Sequence, residues 1–312
     1  LKLELGELES EGFALELTGF SADELKNLLI EETVGLTDED AVPDVPETPV
    51  TVLGDVWVMG NHRVMCGDST SIEQAEQLMA GTNADLVFTD PPYNVAYSGR
   101  GQNNLGTIKN DDMSDADFEQ FCRDVFATYH AVMKPLACIY VCHHDSQSGP
   151  KLAFEKTFAE AFKKSSTIIW MKQSAGMGWQ DYRAQHEPIL YGWKEGGKGS
   201  HFFCGDRAKT TVWKIGRDAQ STYKHPTQKP VALPEEAINN SSKGQDVVLD
   251  LFGGSGSTLI ACEKTGRVNR SMELDPKYCD VIVKRWCEFT GKQATLEATG
   301  ENFPSINNEV GE

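Results

Sequence analysis

The stretch from Val247 to Glu263 constrains this chain more than any other. An apolar run, Val247-Val248-Leu249-Asp250-Leu251, gives way to Phe252-Gly253-Gly254-Ser255-Gly256-Ser257-Thr258, and then to Leu259-Ile260-Ala261-Cys262-Glu263. β-branched and apolar residues favour a buried strand, the glycines a tight turn, and the last run a helix. Such a strand–turn–helix brings helix-terminal N–H groups up to a ligand. An acid closing the next strand, about 20 positions on, would hold sugar hydroxyls. Glu273, after Val268-Asn269-Arg270-Ser271-Met272, fits that place. The geometry alone does not choose a ligand. A dinucleotide-dependent oxidoreductase would use it too, although the loop departs from the full dinucleotide spacing.

A second apolar strand, Asp85-Leu86-Val87-Phe88-Thr89, ends in Asp90-Pro91-Pro92-Tyr93 about 160 residues earlier. Asp and Pro are ordinary turn formers, so this tetrapeptide alone is consistent with a plain turn. Paired with the glycine loop it resembles one half of an amino-methylating DNA methyltransferase, the other half being the Phe-x-Gly-x-Gly loop for S-adenosylmethionine. The catalytic loop precedes the cofactor loop, which is the permuted order of the β group of that family. The chemistry suits the residues. An exocyclic amine is a poor nucleophile because its lone pair is delocalised into the ring. Asp90 and the carbonyl of Pro91 can accept its hydrogens, and two prolines remove competing backbone donors. Pro92 fixes the loop, and Tyr93 offers a π-face to a base pulled out of the duplex. Methyl transfer is then helped mainly by positioning and electrostatics, with no metal required.

The resemblance extends over roughly residues 50–292. Cys66-Gly67-Asp68-Ser69 resembles the element whose carboxylate, here Asp68, contacts the cofactor's adenine. His225-Pro226-Thr227-Gln228-Lys229-Pro230 is similar to the segment that closes over the methionine end, which implies cofactor contacts for His225, Thr227 and Lys229. The same resemblance implies contacts from Asp90, Asp250, Phe252, Gly253, Gly254, Ser255, Gly256, Ser257, Thr258 and Glu273. His186-Glu187-Pro188-Ile189-Leu190 resembles the strand following the target-base pocket. Asp275 and Pro276 suit the N-cap and first turn of a terminal helix.

A net charge of −18 is unusual for a protein that handles DNA, and its distribution matters more than its sum. Residues 1–50 hold 14 acidic and 2 basic residues, whereas residues 151–230 hold 14 basic and 7 acidic ones. Phosphate affinity depends on local Lys and Arg. Between Ser174 and Thr222 aromatics intermix with Arg183, Lys194, Lys198, Arg207, Lys209, Lys214 and Arg217, a pattern that suits nucleic acid. This is where the β group carries its target-recognition region. Trp193 and Tyr191 are instead expected to pack against the sheet. The region is short, so readout is expected to draw also on the glycine-rich 96–112 loop, on a second subunit in a homodimer, or on a missing domain.

The organisation expected is an acidic segment and linker over 1–49, a catalytic domain over 50–295 containing the 174–222 insertion, and a tail over 296–312. A short amphipathic helix is expected at Ser21–Ile30, Pro43, Pro46 and Pro49 among acids predict an extended linker over 38–50, and the whole acidic segment 1–49 is expected to add nothing attractive to DNA. The chain opens on Leu1 and not Met, which predicts a piece of something longer. This opening resembles the acidic tail joining a ParB-like domain to a methyltransferase domain in phage and bacterial proteins. A hairpin is expected around Gly60-Asn61, helices near 115–133 (capped by Ser114) and 151–164, and strands at 137–142 and 167–172. No run reaches the roughly 20 apolar residues of a membrane span. Eight cysteines without paired spacing suit a reducing cytoplasm, and the resemblance implies that of a bacterial or phage-infected cell. Cys138, Cys142, His143 and His144 are read as alternating burial and not as a metal site.

The resemblance thus implies an α/β, Rossmann-like S-adenosylmethionine-dependent methyltransferase fold. Its features are a twisted, mostly parallel sheet, helices on both faces and circularly permuted motifs. The implied activity is methylation of adenine N6 in double-stranded DNA with base flipping, as in restriction-modification systems. Cytosine N4 is the alternative target, and a non-catalytic DNA-binding module with this fold is the alternative to an enzyme.

Overall fold

A computed structural model describes residues 4–5, 8, 12–20, 25, 33–95, 111–145, 149–175, 181–204, 208–216 and 228–304. Among these, ten strands make one sheet: β1 (Val56–Met59), β2 (His62–Cys66), β3 (Ala84–Thr89), β4 (Met133–Cys142), β5 (Lys163–Met171), β6 (His186–Trp193), β7 (Val212–Trp213), β8 (Val247–Asp250), β9 (Val268–Glu273) and β10 (Thr295–Leu296). Their spatial order is β10-β1-β2-β9-β8-β3-β4-β6-β5-β7. The central strands β2, β9, β8, β3 and β4 are all parallel, and β6 runs antiparallel to both β4 and β5.

Parallel strands in the middle of such a sheet are covered on both faces and therefore read as continuous apolar runs. β3 obeys this: Leu86, Val87 and Phe88 are all buried. Val87 faces Phe118 and Phe126 of helix α2 (Asp115–Val132) and Phe154 and Phe158 of α3 (Gly149–Ala161). Leu86 and Phe88 face the other way, onto Ile238 of α4 (Ala232–Ser241) and Ile260 of α5 (Ser257–Thr265). Each of those phenylalanines contributes roughly 2–3 kcal/mol by leaving water. Helix α1 (Ile72–Met79) joins the first face. Helix α6 (Pro276–Thr290) covers β1 and β2 through Trp286 and Ile282.

Local signals act as the sequence suggests. Ser114 accepts from Asp117 N to start α2, whose face of Phe118, Phe121, Cys122, Val125 and Tyr129 is buried. Asp275 accepts from Lys277 N, with Pro276 in the first turn of α6. β1 and β2 form the expected hairpin, with Gly60 at positive φ. Cys138 and Cys142 point into the face shared with α4 and α5, and all eight cysteines carry free thiols.

Three expected boundaries move. The 174–222 insertion contains β6, a strand in the body of the sheet whose Tyr191 packs on Tyr140 at 4.7 Å. The tail expected from 296 is folded at least to Phe303, which lies edge-on to Trp57 at 5.0 Å. The acidic linker is also no free spacer. Leu36 N donates to Phe289 O, and Val50 N and Thr51 N donate to the Asp280 carboxylate, so residues 33–55 lie against the domain as a strap. A polar main chain running over a folded surface finds its partners there and not in water. The helix expected at Ser21–Ile30 falls outside the described residues except for Leu25, which is buried with Leu5 and Leu15. No helix among the described residues is long and apolar enough to cross a membrane.

Candidate active site

The chain leaves β8 through α5 to β9 on one side, and leaves β3 through α2 to β4 on the other, while β8 and β3 are neighbours. Opposite winding of adjacent parallel strands opens a crevice at their carboxyl ends. Both sequence motifs fall there. Asp90 follows β3, the glycine loop follows β8, Asp68 follows β2, and Glu273 closes β9, where Gly67 N donates to Glu273 O.

Asp90 is the hub of a charged cluster. Lys229 Nζ lies 2.8 Å from Asp90 Oδ2, 3.0 Å from Glu187 Oε2 and 3.1 Å from the Tyr93 hydroxyl. An ammonium has three donors, and all three are used. The Tyr93 hydroxyl donates to Asp90 Oδ1, and Lys172 pairs with the other oxygen of Glu187. Trp170 lies beneath both ammoniums, its ring centre 5.4 Å from Lys172 and 5.9 Å from Lys229. Burial would lift the Glu187 carboxyl, but the Lys229 and Lys172 charges outweigh it and take it down to about 2. Burial opposes the Lys229 charge, and the Asp90 and Glu187 carboxylates override it and hold its pKa above the usual lysine value. Burial, then the Asp90 and Glu187 charges, push the Tyr93 phenol far up. Sequence reasoning gave Lys229 to the cofactor and gave Glu187, Lys172 and Trp170 no role. An acid opening the apolar strand Pro188–Tyr191 was the available signal.

Asn94 closes the next stretch. Its Nδ2 donates to Met113 O at 2.9 Å, and its Oδ1 accepts from Met113 N at 2.6 Å. Most of the expected 96–112 loop lies outside the described residues, but its two ends meet at this clasp.

The glycine loop fits a nucleotide-type cofactor. A Cβ on Gly253 would come within 2.8 Å of Ile282 and 3.3 Å of Met272 O, so only glycine lets the loop lie on β9. Gly256 has φ +86° and begins α5 with no side chain capping it, which leaves first-turn N–H groups for a ligand. Glu273 accepts Gly254 N at 2.9 Å and Asp275 N at 2.9 Å, one per oxygen, and keeps lone pairs for hydroxyls. Asp68 is exposed at the adjacent strand end.

Asp250 and Thr258, expected on the cofactor, are inside the scaffold instead. Asp250 is buried and accepts from Thr89 Oγ1 at 3.0 Å, Phe252 N at 3.1 Å and Thr258 Oγ1 at 2.7 Å. Burial raises its pKa to about 7 against those hydrogen bonds. Ser257 also turns inward, donating to Lys229 O at 2.7 Å. Ser255 accepts from Arg285. His225 and Thr227 lie outside the described residues.

The expected DNA cations do not share one face. β6 runs antiparallel to β4, so Lys194 emerges at the amino end of β4, opposite the crevice, and donates to His130 O and Met133 O. Lys198 follows it, beyond Gly197, which packs on Pro135 at that same end. Lys209 pairs with Glu236 of α4 along the flank. Arg183, in the β5–β6 turn, and Lys214, after β7, stand at the crevice end and are exposed. Arg207 and Arg217 lie outside the described residues.

Residues 84–284 match the sequence model of a DNA methylase family. This chain is a member of that family. Residues 1–53 match the ParB-methyltransferase HTH domain, in keeping with the expected likeness of this opening to fusions of ParB-like and methyltransferase domains. This DNA methylase is 30% identical over 224 residues to the type II methyltransferase M2.LlaDCHI of Lactococcus lactis subsp. cremoris, covering 64% of this chain and 81% of the relative. It is 29% identical over 238 residues to the DNA adenine methyltransferase YhdJ of Escherichia coli K12, covering 65% and 76%. Among solved structures, the PvuII DNA methyltransferase (cytosine-N4-specific) matches with a TM-score of 0.57 at 17% identity, covering 73% of this chain and 87% of that one. The M1.HpyAVI–SAM complex matches with a TM-score of 0.53 at 22% identity, covering 71% and 97%. At these identities the two structures bear on the fold alone, and they agree with the sheet described above.

Proposed function

We propose that this DNA methylase transfers a methyl group from S-adenosylmethionine to N6 of adenine in double-stranded DNA. The observation that carries the reading is Asp90, an acceptor at the end of a rigid buried strand beside a glycine loop shaped for a nucleotide. The naming of M2.LlaDCHI as a type II methyltransferase and of YhdJ as a DNA adenine methyltransferase supports the choice of polymer and base.

S-adenosylmethionine, when bound, supplies an electrophilic methyl carbon on a sulfonium. Gly253, Gly254 and Gly256 with the first turn of α5 would hold it, together with Glu273 and Asp68. The remaining work belongs to this chain. Tyr93 and Lys229 engage one oxygen each of Asp90 and fix the carboxylate plane. Each carboxylate oxygen has a further lone pair, so Asp90 can accept the amine N–H while both contacts persist. As positive charge develops on the amine nitrogen, Asp90 stabilises it in a preorganised site. Asp90 lies in the crevice, so the adenine must leave the stack to reach it. Arg183 and Lys214, at the crevice end, would meet backbone phosphates, and a second subunit in a homodimer would add to sequence readout. Such an enzyme works where its DNA is, in the bacterial or phage-infected cytoplasm.

The test is Asp90→Ala. Methyl transfer should fall by about 10²–10³, the usual cost of one positioned group, while S-adenosylmethionine binding by calorimetry stays near wild type. Nucleoside chromatography of the product should show N6-methyladenine. N4-methylcytosine would move the target base, and undiminished turnover would remove Asp90 from the chemistry.

A further inference from the structure

Helix α4 follows directly from the segment that carries Lys229, and it begins without a local cap. Val231 occupies the N-cap with φ −57° and no side-chain hydrogen bond of its own. Lys229-Pro230-Val231 has none of the residues that normally perform this task. The missing acceptor comes from the strap, about 190 residues away in sequence. Asp40 Oδ1 accepts from Val231 N at 2.8 Å, and Asp40 O accepts from Gln228 Nε2 at 2.9 Å. The residues on both sides of Lys229 are therefore held by one residue of the N-terminal segment. The third anchor is Ser257, through Lys229 O.

The neighbouring residue ties the strap to the other half of the crevice. Arg285 donates to Glu39 O at 2.6 Å and to Ser255 O at 2.8 Å, so strap and glycine loop share one guanidinium. Arg285 is buried, and its charge lies beside Asp40. The carboxylate at residue 40 thus has a built place: one helix-start N–H before it, a buried cation beside it, and Lys229 between its two hydrogen-bonded neighbours.

We propose that Asp40 is a positioning residue for methyl transfer, setting the main chain that aims the Lys229 ammonium at Asp90 and Glu187. The inference rests on the function proposed above, and it makes the segment matching the ParB-methyltransferase HTH domain part of the catalytic frame. A strap that only lengthened the chain would need no acid at residue 40 and no contact with residues 228 and 231.

The experiment uses the full chain with Asp40→Ala, Asp40→Asn, Lys229→Ala and the Asp40→Ala/Lys229→Ala double variant. Wild-type methylation of DNA, measured first, judges the functional reading separately. Asp40→Ala should lower kcat about tenfold, as loss of one charge-assisted hydrogen bond does, with KM for S-adenosylmethionine little changed. Asp40→Asn keeps an acceptor oxygen and should restore most of the rate. In the Lys229→Ala background the Asp40→Ala change should cost less than about twofold, because coupled residues are not additive. A readout free of activity accompanies these. Labelling of Lys229 by an amine-reactive reagent, followed by mass spectrometry, should be several-fold faster in Asp40→Ala. Should Asp40→Ala not fold, Val231→Pro removes the same bond from its donor side at a φ that proline accepts. Unchanged Lys229 labelling, or a full loss of rate that persists without Lys229, overturns the proposal.

Discussion

Lys229→Met keeps the unbranched stem of the side chain up to the ε position and removes the charged group, so it isolates what the ammonium does for the two carboxylates it holds. In the wild-type protein burial works to raise Glu187, yet Lys229 and Lys172 take it from 4.5 to about 2. At about 1.4 kcal/mol per tenfold in proton affinity, that depression corresponds to about 3 kcal/mol of stability. Lys172 survives the substitution and retains part of it, which leaves about 2 kcal/mol to Lys229. A carboxyl depressed on folding contributes fully above its unfolded value, 4.5, and loses the contribution as pH falls through 2. The gap between wild type and Lys229→Met should therefore be about 2 kcal/mol near pH 7, or about 4–8 °C in Tm for a domain of this size, and clearly smaller near pH 3. Thermal unfolding of both proteins across that range measures it. A gap of equal size at both ends, or a variant more stable at neutral pH, would refute the charge argument and reduce Lys229 to a packing role.

Gly256→Val should weaken S-adenosylmethionine binding and lower Tm together, because a φ of +86° and the nearby Ile282 leave no strain-free place for a side chain; calorimetry and melting on one preparation check both. Glu273→Ala should weaken cofactor binding by about 1.5–3 kcal/mol, and unchanged affinity in both variants would place the pocket elsewhere. Neutralising Arg183 and Lys214 should flatten the dependence of log affinity on log salt by about one for each phosphate that then goes unneutralised. The same treatment of Lys194 and Lys198, at the opposite end of the sheet, should leave that slope unchanged. Asp250, raised by burial from 3.8 to about 7, favours the folded state most below pH 3.8 and loses that contribution as pH rises through 7. Asp250→Asn cannot ionise, so melting temperatures of the two proteins should shift in its favour between about pH 4 and 7 and keep a constant gap above that.

Features that depend on neighbouring residues in sequence were legible before the structure. Ser114, Asp275-Pro276, Gly60-Asn61 and the apolar β3 and β8 each carry their own local signal, and the sheet with its two motif loops follows from them. The pairing of Asp90 with Lys229, 139 positions away, is a tertiary event that no periodicity reports. The same holds for the inward turn of Asp250. Its type and spacing suit a ligand, but Thr89 and Thr258 close around it because β3 and α5 meet at β8. Charge density misled in one instructive way. The 174–222 stretch is basic as a string, yet β6 carries the chain from the crevice end to the far end within it. Lys194 and Arg183, 11 positions apart, therefore finish on opposite ends of the sheet. Proline content misled in another. Pro43, Pro46 and Pro49 do mark extended chain, but extended chain can bind a surface as well as bridge a gap.

The Asn94–Met113 clasp has a consequence for how such an enzyme can diverge. The chain departs from and returns to a single point, sealed on both sides by one asparagine side chain immediately downstream of Asp90 and Tyr93. Lengthening or replacing what lies between costs little closure entropy, about 0.6 kcal/mol per doubling of length, and exerts no leverage on β3. That interval can therefore be exchanged between relatives while Asp90 and Tyr93 keep their places. A library built on fixed Asn94 and Met113 would vary the interval and leave the carboxylate cluster untouched.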